Sequence, residues 1–495
     1  MSNTISNDGF EFENTYAEQL EGFYTLFSGD QAPAPELIKL NRELSNELGL
    51  SLECLQDEDI AKIFSGSVSP NGAKPLAQVY AGHQFGGFSP RLGDGRALLL
   101  GEVINAQGER FDIHLKGSGR TPYSRGGDGK AALGPVLREY IMGEAMHALN
   151  VPTTRALAAV STGENVMREE MLPGAVLARV ASSHLRVGTF QYFAARDERD
   201  KVKQLADYTI QRHFPDLKEN ENPYLGLLCV VRDRQAVLLA RWMMLGFIHG
   251  VMNTDNMTIS GETIDYGPCA FMDSYDPTTV FSSIDAQGRY AYGNQPHIAQ
   301  WNLARLAETL LPLIHADNDE AIKLATHEIN IFSECYLQHW LDGMRLKLGL
   351  VSSEVDDLHL ANDLFKAMEG QDVDFTQFFR SLSDSLQGNS ETVHDLFDNL
   401  EEFDQWYIRW IDRLTRDPMQ VDERIAAMNA VNPIYIPRNH KVEEALQAAE
   451  RESNFVPFEK LMMILARPFE KQAGLEEYAV PAPSDFPPYK TYCGT

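Results

Sequence analysis

The feature that most constrains this chain is a change of rhythm at Gly134-Pro135. Glycine is concentrated between Gly82 and Gly134, and within that stretch apolar residues alternate with polar ones. Beyond it, Val136, Leu137, Tyr140, Ile141, Ala145 and Leu149 recur at three-to-four spacing. Alternation is the mark of a strand and the longer period that of a helix. Proline suits the first turn of a helix, where its missing N–H would have had no partner. Strands are predicted over 96–104 and 110–116, joined by Asn105-Ala106-Gln107-Gly108, whose ends suit a hairpin. Further strands are predicted over 156–160 and 175–181, and short helix-like pieces over 16–48. From Gly188 onward helices dominate, notably 202–213, 235–250 and 297–314. The region 301–495 reads as mostly helical, with Pro433, Pro437, Pro457 and Pro468 as punctuation. The order predicts an α+β protein: a small sheet with one embedded helix, then a large helical part, as two lobes with a cleft between them. Trp301, Trp340, Trp406 and Trp410 are expected in the core.

Composition excludes several classes. The chain has 495 residues, enough for about three domains, and a formal charge of −28. That acidity argues against a nucleic-acid grip, which needs clustered Lys and Arg, and against adhesion to anionic lipid. No membrane partner is expected either, because no run reaches ~18 uninterrupted apolar residues. The richest stretch, 236–252, is broken by Arg241 and His249. The first ten residues lack the basic and apolar regions of a signal peptide. Five widely spaced cysteines with no Cys-x-x-Cys pair point to neither a zinc knuckle nor a disulfide framework. A cytoplasmic location is expected.

Three elements carry candidate chemistry. Gly93-Asp94-Gly95-Arg96 precedes a strand; glycines let backbone N–H groups approach a phosphate, although such a triplet alone is more often a tight turn. Lys116 ends the second hairpin strand, where alternation puts Phe111, Ile113 and Leu115 on one face and Asp112, His114 and Lys116 on the other. Glu139 follows on the helix, and a strand lysine paired with a helix glutamate is how kinase-like enzymes hold lysine against nucleotide phosphates. The third element is the run from His249 through Asp255-Asn256 to Asp265-Tyr266-Gly267. Its spacing follows the kinase loop of histidine, metal-binding Asn and metal-binding Asp, but the position of the kinase base is Val251. Asn256 and Asp265 offer hard oxygen ligands suited to Mg²⁺. Between residues 91 and 138 the chain carries 8 basic residues against 5 acidic, a positive focus on an acidic body. Arg179 and Arg186 flank a predicted strand and could reach the same cleft.

The strings Tyr80-Ala81-Gly82-His83-Gln84-Phe85-Gly86, Leu115-Lys116-Gly117-Ser118-Gly119, Arg120-Thr121-Pro122-Tyr123-Ser124-Arg125, Arg138-Glu139-Tyr140 and Gly250-Val251-Met252-Asn253-Thr254-Asp255-Asn256 resemble the selenoprotein O family, from about residue 20 to the C-terminus. The resemblance implies a protein-kinase-like two-lobe fold with a mainly helical C-terminal extension. The divisions expected are an N-terminal extension (1–75), a nucleotide-binding lobe (76–187), a lobe with the metal and catalytic loop (188–330), and a helical region with a redox tail (331–495). It implies ATP bound in reversed direction and transfer of AMP, not the γ-phosphate, to Ser, Thr or Tyr hydroxyls of proteins, with pyrophosphate released. In this family's terms Lys116, held by Glu139, would contact phosphates with Arg179 and Arg186. Gly93, Gly95, Arg96, Asp128, Gly129 and Asp265 would complete the nucleotide pocket. Asn256 and Asp265 would hold Mg²⁺ or Mn²⁺, and Asp255 would accept the proton. The family often ends in selenocysteine or cysteine, which implies a reversible Cys269–Cys493 disulfide; two unrelated thiols are the alternative. The partners implied are hydroxyl-bearing proteins, with a redox connection, for a monomeric enzyme. Two other readings stand beside it: a non-catalytic nucleotide-binding pseudokinase scaffold, for which Val251 argues, and a small-molecule phosphotransferase. The sequence leaves UTP open in place of ATP.

Overall fold

The hairpin predicted from alternation lies at the centre of a sheet. The computed structural model describes residues 9–491. Its strands are β1 (Tyr24–Leu26), β2 (Glu36–Leu40), β3 (Leu76–Gln78), β4 (Gly82–Gln84), β5 (Gly87–Ser89), β6 (Ala97–Ile104), β7 (Arg110–Lys116), β8 (Ala131–Ala132), β9 (Arg155–Met167), β10 (Met171–Ala181), β11 (Phe247–Ile248) and β12 (Ala270–Phe271). The main sheet is antiparallel, in the order β1-β3-β6-β7-β10-β9-β2, with β8 paired to β10. At the β6–β7 turn, Asn105 Oδ1 accepts from the Gln107 and Glu109 amides at 3.1 and 2.8 Å. Gly108 supplies the left-handed step at φ +81°.

Two expectations are corrected here. Residues 16–48 hold the edge strands β1 and β2 between two short helices, where only helix-like pieces were predicted. These strands are fixed by long-range pairing, Leu37 with Val160 and Thr25 with Ala77, which leaves no local period to read. The helix predicted over 235–250 spans Pro223–Leu245: Asn222 caps its start at 3.1 Å from the Leu225 amide, and Gly246 ends it at φ +68°. The chain then enters β11, which pairs with β12 across the whole 249–269 segment.

The two faces of β7 do different work. Ile113 and Leu115 pack with Leu100, Val103, Ile60, Ile63 and Phe64, under the helix Asp57–Phe64. Asp112, His114 and Lys116 face the other way, as alternation predicts, yet Asp112 and His114 are fully buried. On that side lies the helix Leu133–Ala148, which carries Glu139. The C-terminal helices return to it: Glu450 Oε1 accepts from the Gly134 amide at 2.8 Å, and Tyr140 meets Phe458 edge-on at 5.7 Å. A second core gathers Trp340, Trp406, Trp410, Phe375 and Phe378. Trp301 departs from expectation; it is only half-buried, between surface arginines. Buried Arg438 ties this region to the segment after β12 through Asp273 and Asp374 at 2.6 and 2.7 Å. No helix among the described residues is long and apolar enough to cross a membrane.

Lys347 is the one feature of this core that strains against it. Its ammonium lies 4.1 Å from the Phe379 ring centroid and is almost fully buried. Burial lowers its pKa from 10.5 to about 7. The unfolded chain therefore binds more protons than the folded one between about pH 7 and 10.5, and stability rises with pH across that window. Lys347→Met keeps the volume without the charge and is expected to stabilise the protein at pH 7 by more than about 1 kcal/mol. Urea midpoints should show that advantage shrinking toward pH 10.5; an advantage independent of pH would contradict the assignment.

Candidate active site

Three cations converge on one carboxylate. Lys116 at the end of β7, Arg179 on β10 and Arg186 at the cap of the helix Val187–Ala194 all reach Asp265, which the β11–β12 ladder presents on its connecting segment. Lys116 Nζ lies 3.0 Å from Asp265 Oδ1 and 2.5 Å from Glu139 Oε2. Arg179 Nη1 lies 2.6 Å from Asp265 Oδ1 and 3.0 Å from Glu139 Oε1. Arg186 Nη1 bridges Asp265 Oδ2 at 2.8 Å and the Asp255 carbonyl at 2.9 Å. Burial alone would raise the Asp265 carboxyl, but Lys116, Arg179 and Arg186 overturn that and hold it well below the usual range. Asp265 adopts left-handed backbone at φ +59°, a conformation aspartate tolerates better than most residues. It is pinned on one side by His249, whose ring nitrogen Nε2 donates to the Ile264 carbonyl at 2.9 Å. Burial lowers the His249 pKa and keeps the ring neutral.

A second shell of polar groups aims the arginines. Arg179 Nε donates to His114 Nδ1 at 3.2 Å, so the His114 proton sits on Nε2, directed to Asp94 Oδ2 at 3.3 Å. Burial lowers the His114 pKa against the pull of Asp94, which keeps this imidazole neutral. Asp94 Oδ2 also accepts from the Gln78 amide at 2.9 Å. The Gly-Asp-Gly triplet is thus a turn whose aspartate points inward. A Cβ at Gly93 would meet the Tyr123 ring at 2.6 Å, and one at Gly95 the Tyr123 carbonyl at 3.0 Å. Arg186 stacks on Tyr80, 4.6 Å from the ring centroid.

Asp255 sits on the far side of Arg186, in the turn Thr254–Asn256. It is buried, with Oδ2 accepting weakly from Gln84 Nε2 at 3.3 Å and Oδ1 without a partner. Burial raises its carboxyl to about 6, against the attraction of Arg186. A carboxyl held in this way changes protonation close to neutral pH. Asn256 turns its amide nitrogen to the Val251 carbonyl at 2.9 Å, which leaves the amide oxygen as its ligand end. Val251, apolar where a kinase base would stand, therefore contributes its backbone. Among the described residues no three His, Cys, Asp or Glu gather into a metal site. The oxygen donors of Asn256 and Asp265 nevertheless fit a Mg²⁺-like ion that takes its remaining ligands from phosphate and water.

Lys116, Glu139, Arg179, Arg186, Asp255 and Asp265 are brought together. Asn256 stands next to Asp255 in the same turn. Arg96 lies beside Lys116, its carbonyl accepting from the Gly117 amide at 2.7 Å. Asp128 is exposed and pairs with Arg168 at 2.8 Å, while Gly129 packs on Gly119. Neither contacts the Asp265 cluster. Cys269 is a fully buried free thiol that burial pushes up to about 11. Cys493 lies outside the described residues; Thr491 donates to the Pro268 carbonyl at 2.8 Å. Sequence reasoning placed His114 on the correct face but missed its role, and missed that of Asp94. The signal was the two-residue step from His114 to Lys116 on one strand face.

Known proteins are similar to this chain over nearly its whole length. Residues 8–466 match the family described as protein adenylyltransferase SelO. The chain is 57% identical over 489 residues to the protein nucleotidyltransferase YdiU of Rhizobium etli, covering 98% of this chain and 97% of that protein. It is 57% identical to the proteins of the same name from Cereibacter sphaeroides (98% and 100% covered) and Rhizobium leguminosarum bv. trifolii (100% of both).

The electrostatics of the two aspartates make opposite demands. Asp265→Asn leaves the buried Arg179 and Arg186 and the partly buried Lys116 short of a counter-charge and is expected to cost about 3–5 kcal/mol of stability. Asp255→Asn removes a charge that burial disfavours and should cost less than about 1 kcal/mol. Denaturant midpoints of the two variants without nucleotide test this, and equal losses would contradict it.

Proposed function

The chain belongs to the protein adenylyltransferase SelO family and is a nucleotidyltransferase, and on that premise we propose that it moves AMP from ATP to Ser, Thr or Tyr hydroxyls of other proteins. On this reading the fold is a two-lobed, kinase-like one and ATP lies reversed between the lobes. The observation that supports it is the position of Asp255, a buried, incompletely bonded carboxylate across Arg186 from the cluster of Lys116, Arg179 and Asp265. Cations grouped on one side suit the β- and γ-phosphates, and a base on the other suits a hydroxyl attacking the α-phosphorus.

The residues then divide the work. The acceptor oxygen attacks the α-phosphorus and its proton passes to an Asp255 carboxylate oxygen. The bond from the α-phosphorus to its bridging oxygen breaks, and pyrophosphate leaves into the field of Lys116, Arg179 and Arg186. Glu139 and the neutral His114 keep Lys116 and Arg179 in place. A divalent ion held by Asn256 and Asp265 would neutralise phosphate charge when bound. Gly93, Gly95, Arg96, Asp128 and Gly129 belong to the proposed nucleotide pocket as its surrounding turns. The scaffold alternative falls with membership in an enzyme family.

ATP labelled at either end tests the proposal. Label from the α position is expected in the acceptor protein and none from the γ position. Asp255→Ala should lower transfer by at least about 100-fold while changing ATP affinity less than about threefold. Transfer of γ label would contradict the reversed seating.

A further inference from the structure

The hairpin β4–β5 is fastened to the catalytic loop along one side and carries two phenylalanines on the other. The His83 amide donates to Thr254 Oγ1 at 2.7 Å, and the Phe85 amide to Asn253 Oδ1 at 3.1 Å and to the Tyr290 hydroxyl at 3.2 Å. Gln84 reaches Asp255 itself. Gly82 is required at the hairpin's start, because a Cβ there would run into the Asp255 carboxylate. Phe85 takes left-handed backbone at φ +50°, a conformation that costs a non-glycine residue about 1–2 kcal/mol. Phe85 meets Tyr290 edge-on at 5.2 Å and Phe88 lies 4.8 Å from the His83 ring, yet the two residues stay 36% and 42% exposed.

Three arginines, Arg196, Arg289 and Arg305, lie beside the hairpin on a chain of charge −28, with the exposed Asp197, Glu198 and Asp200 following the first of them. The guanidinium groups of Arg289 and Arg305 each lie 4.9 Å from the Trp301 ring centroid, and His83 meets Trp301 edge-on at 5.2 Å. Arg196 donates to the Pro90 carbonyl at 3.0 Å, just past β5. Glu308 pairs with Arg305 at 2.7 Å, and the buried Asp285 accepts the Arg289 and Tyr290 amides. Arg289 and Arg196 form no ion pair among the described residues. Gln84 of the hairpin bonds the Asp255 carboxylate while Arg186 bonds the Asp255 backbone carbonyl, so the hairpin lies on the carboxylate side of that residue. On the transfer reading that is the side where an acceptor hydroxyl arrives.

We propose that the β4–β5 hairpin with Arg196, Arg289 and Arg305 is the docking surface for the acceptor polypeptide, and that it selects a hydroxyl flanked by acidic and apolar side chains. The assignment rests on the transfer reading above and names its substrate class. Phe85 and Phe88 take the apolar flank, and the arginines supply charge complementarity.

Fluorescein-tagged dodecapeptides with one Ser, Thr or Tyr, flanked by Glu and Leu or by Lys and Leu, test it by anisotropy at 0.15 M salt. The acidic peptides should bind at least about tenfold tighter than the basic ones. Phe88→Ser and Arg289→Gln should each weaken the acidic peptides by about tenfold and leave ATP affinity within about twofold. Charge-blind binding overturns the docking surface even if α label is transferred. So does Phe88→Ser weakening ATP in step, which would make the patch a nucleobase platform, or Phe88→Ser dissolving a dimer seen by sedimentation. Failure of the wild type to transfer α label to any peptide or protein overturns instead the reading on which the surface rests.

Discussion

A partly buried carboxylate shared by three cations is the constraint on which the rest of this structure depends. Asp265 alone would be costly where it lies, and so would Lys116, Arg179 and Arg186. Together with Glu139 they satisfy one another, and each arrives from a different element: β7, β10, the cap of the helix Val187–Ala194, the helix Leu133–Ala148 and the β11–β12 connection. The sheet and the helical part therefore meet through charge as well as through a shared apolar core that includes Leu99, Leu177, Phe190 and Leu238. On the proposed function such a knot becomes an anion site, because a polyphosphate would take over the cations that Asp265 holds.

The distant parts of the chain serve that knot. The C-terminal helices brace the helix that carries Glu139, through Glu450 on the Gly134 amide and Phe458 on Tyr140. The last described residue, Thr491, binds the Pro268 carbonyl beside Cys269, and Arg138 donates to the Cys269 carbonyl. A raised thiol in such a setting exchanges slowly, because the thiolate is the reactive form. The negative charge of the whole chain sharpens the contrast with the cations gathered at the cleft and at the hairpin.

How much of this could be read in advance depends on the range of the forces involved. Strand β7, its two faces and the helix after Gly134 were legible because period is local. So was the pairing of Lys116 with Glu139, a strand lysine set against a glutamate on the following helix. The edge strands β1 and β2 were not, since partners more than 50 residues away define them. Asp94 and His114 were seen as a turn and a strand residue; their joint role needs Arg179, which lies 65 residues beyond His114. Trp301 was expected in the core because tryptophan usually is, and only the neighbouring arginines reveal why it stays half-exposed.

The central claim is that the cations on Asp265 receive the terminal phosphates and leave the innermost one beside Asp255. A crystal structure with Mg²⁺ and an ATP analogue carrying a methylene bridge between the α- and β-phosphorus tests it most directly. The account predicts the β- and γ-phosphates on Lys116, Arg179 and Arg186, with the α-phosphorus facing the Asp255 carboxylate. A γ-phosphate lying next to Asp255, with the nucleoside end on Lys116, would contradict it.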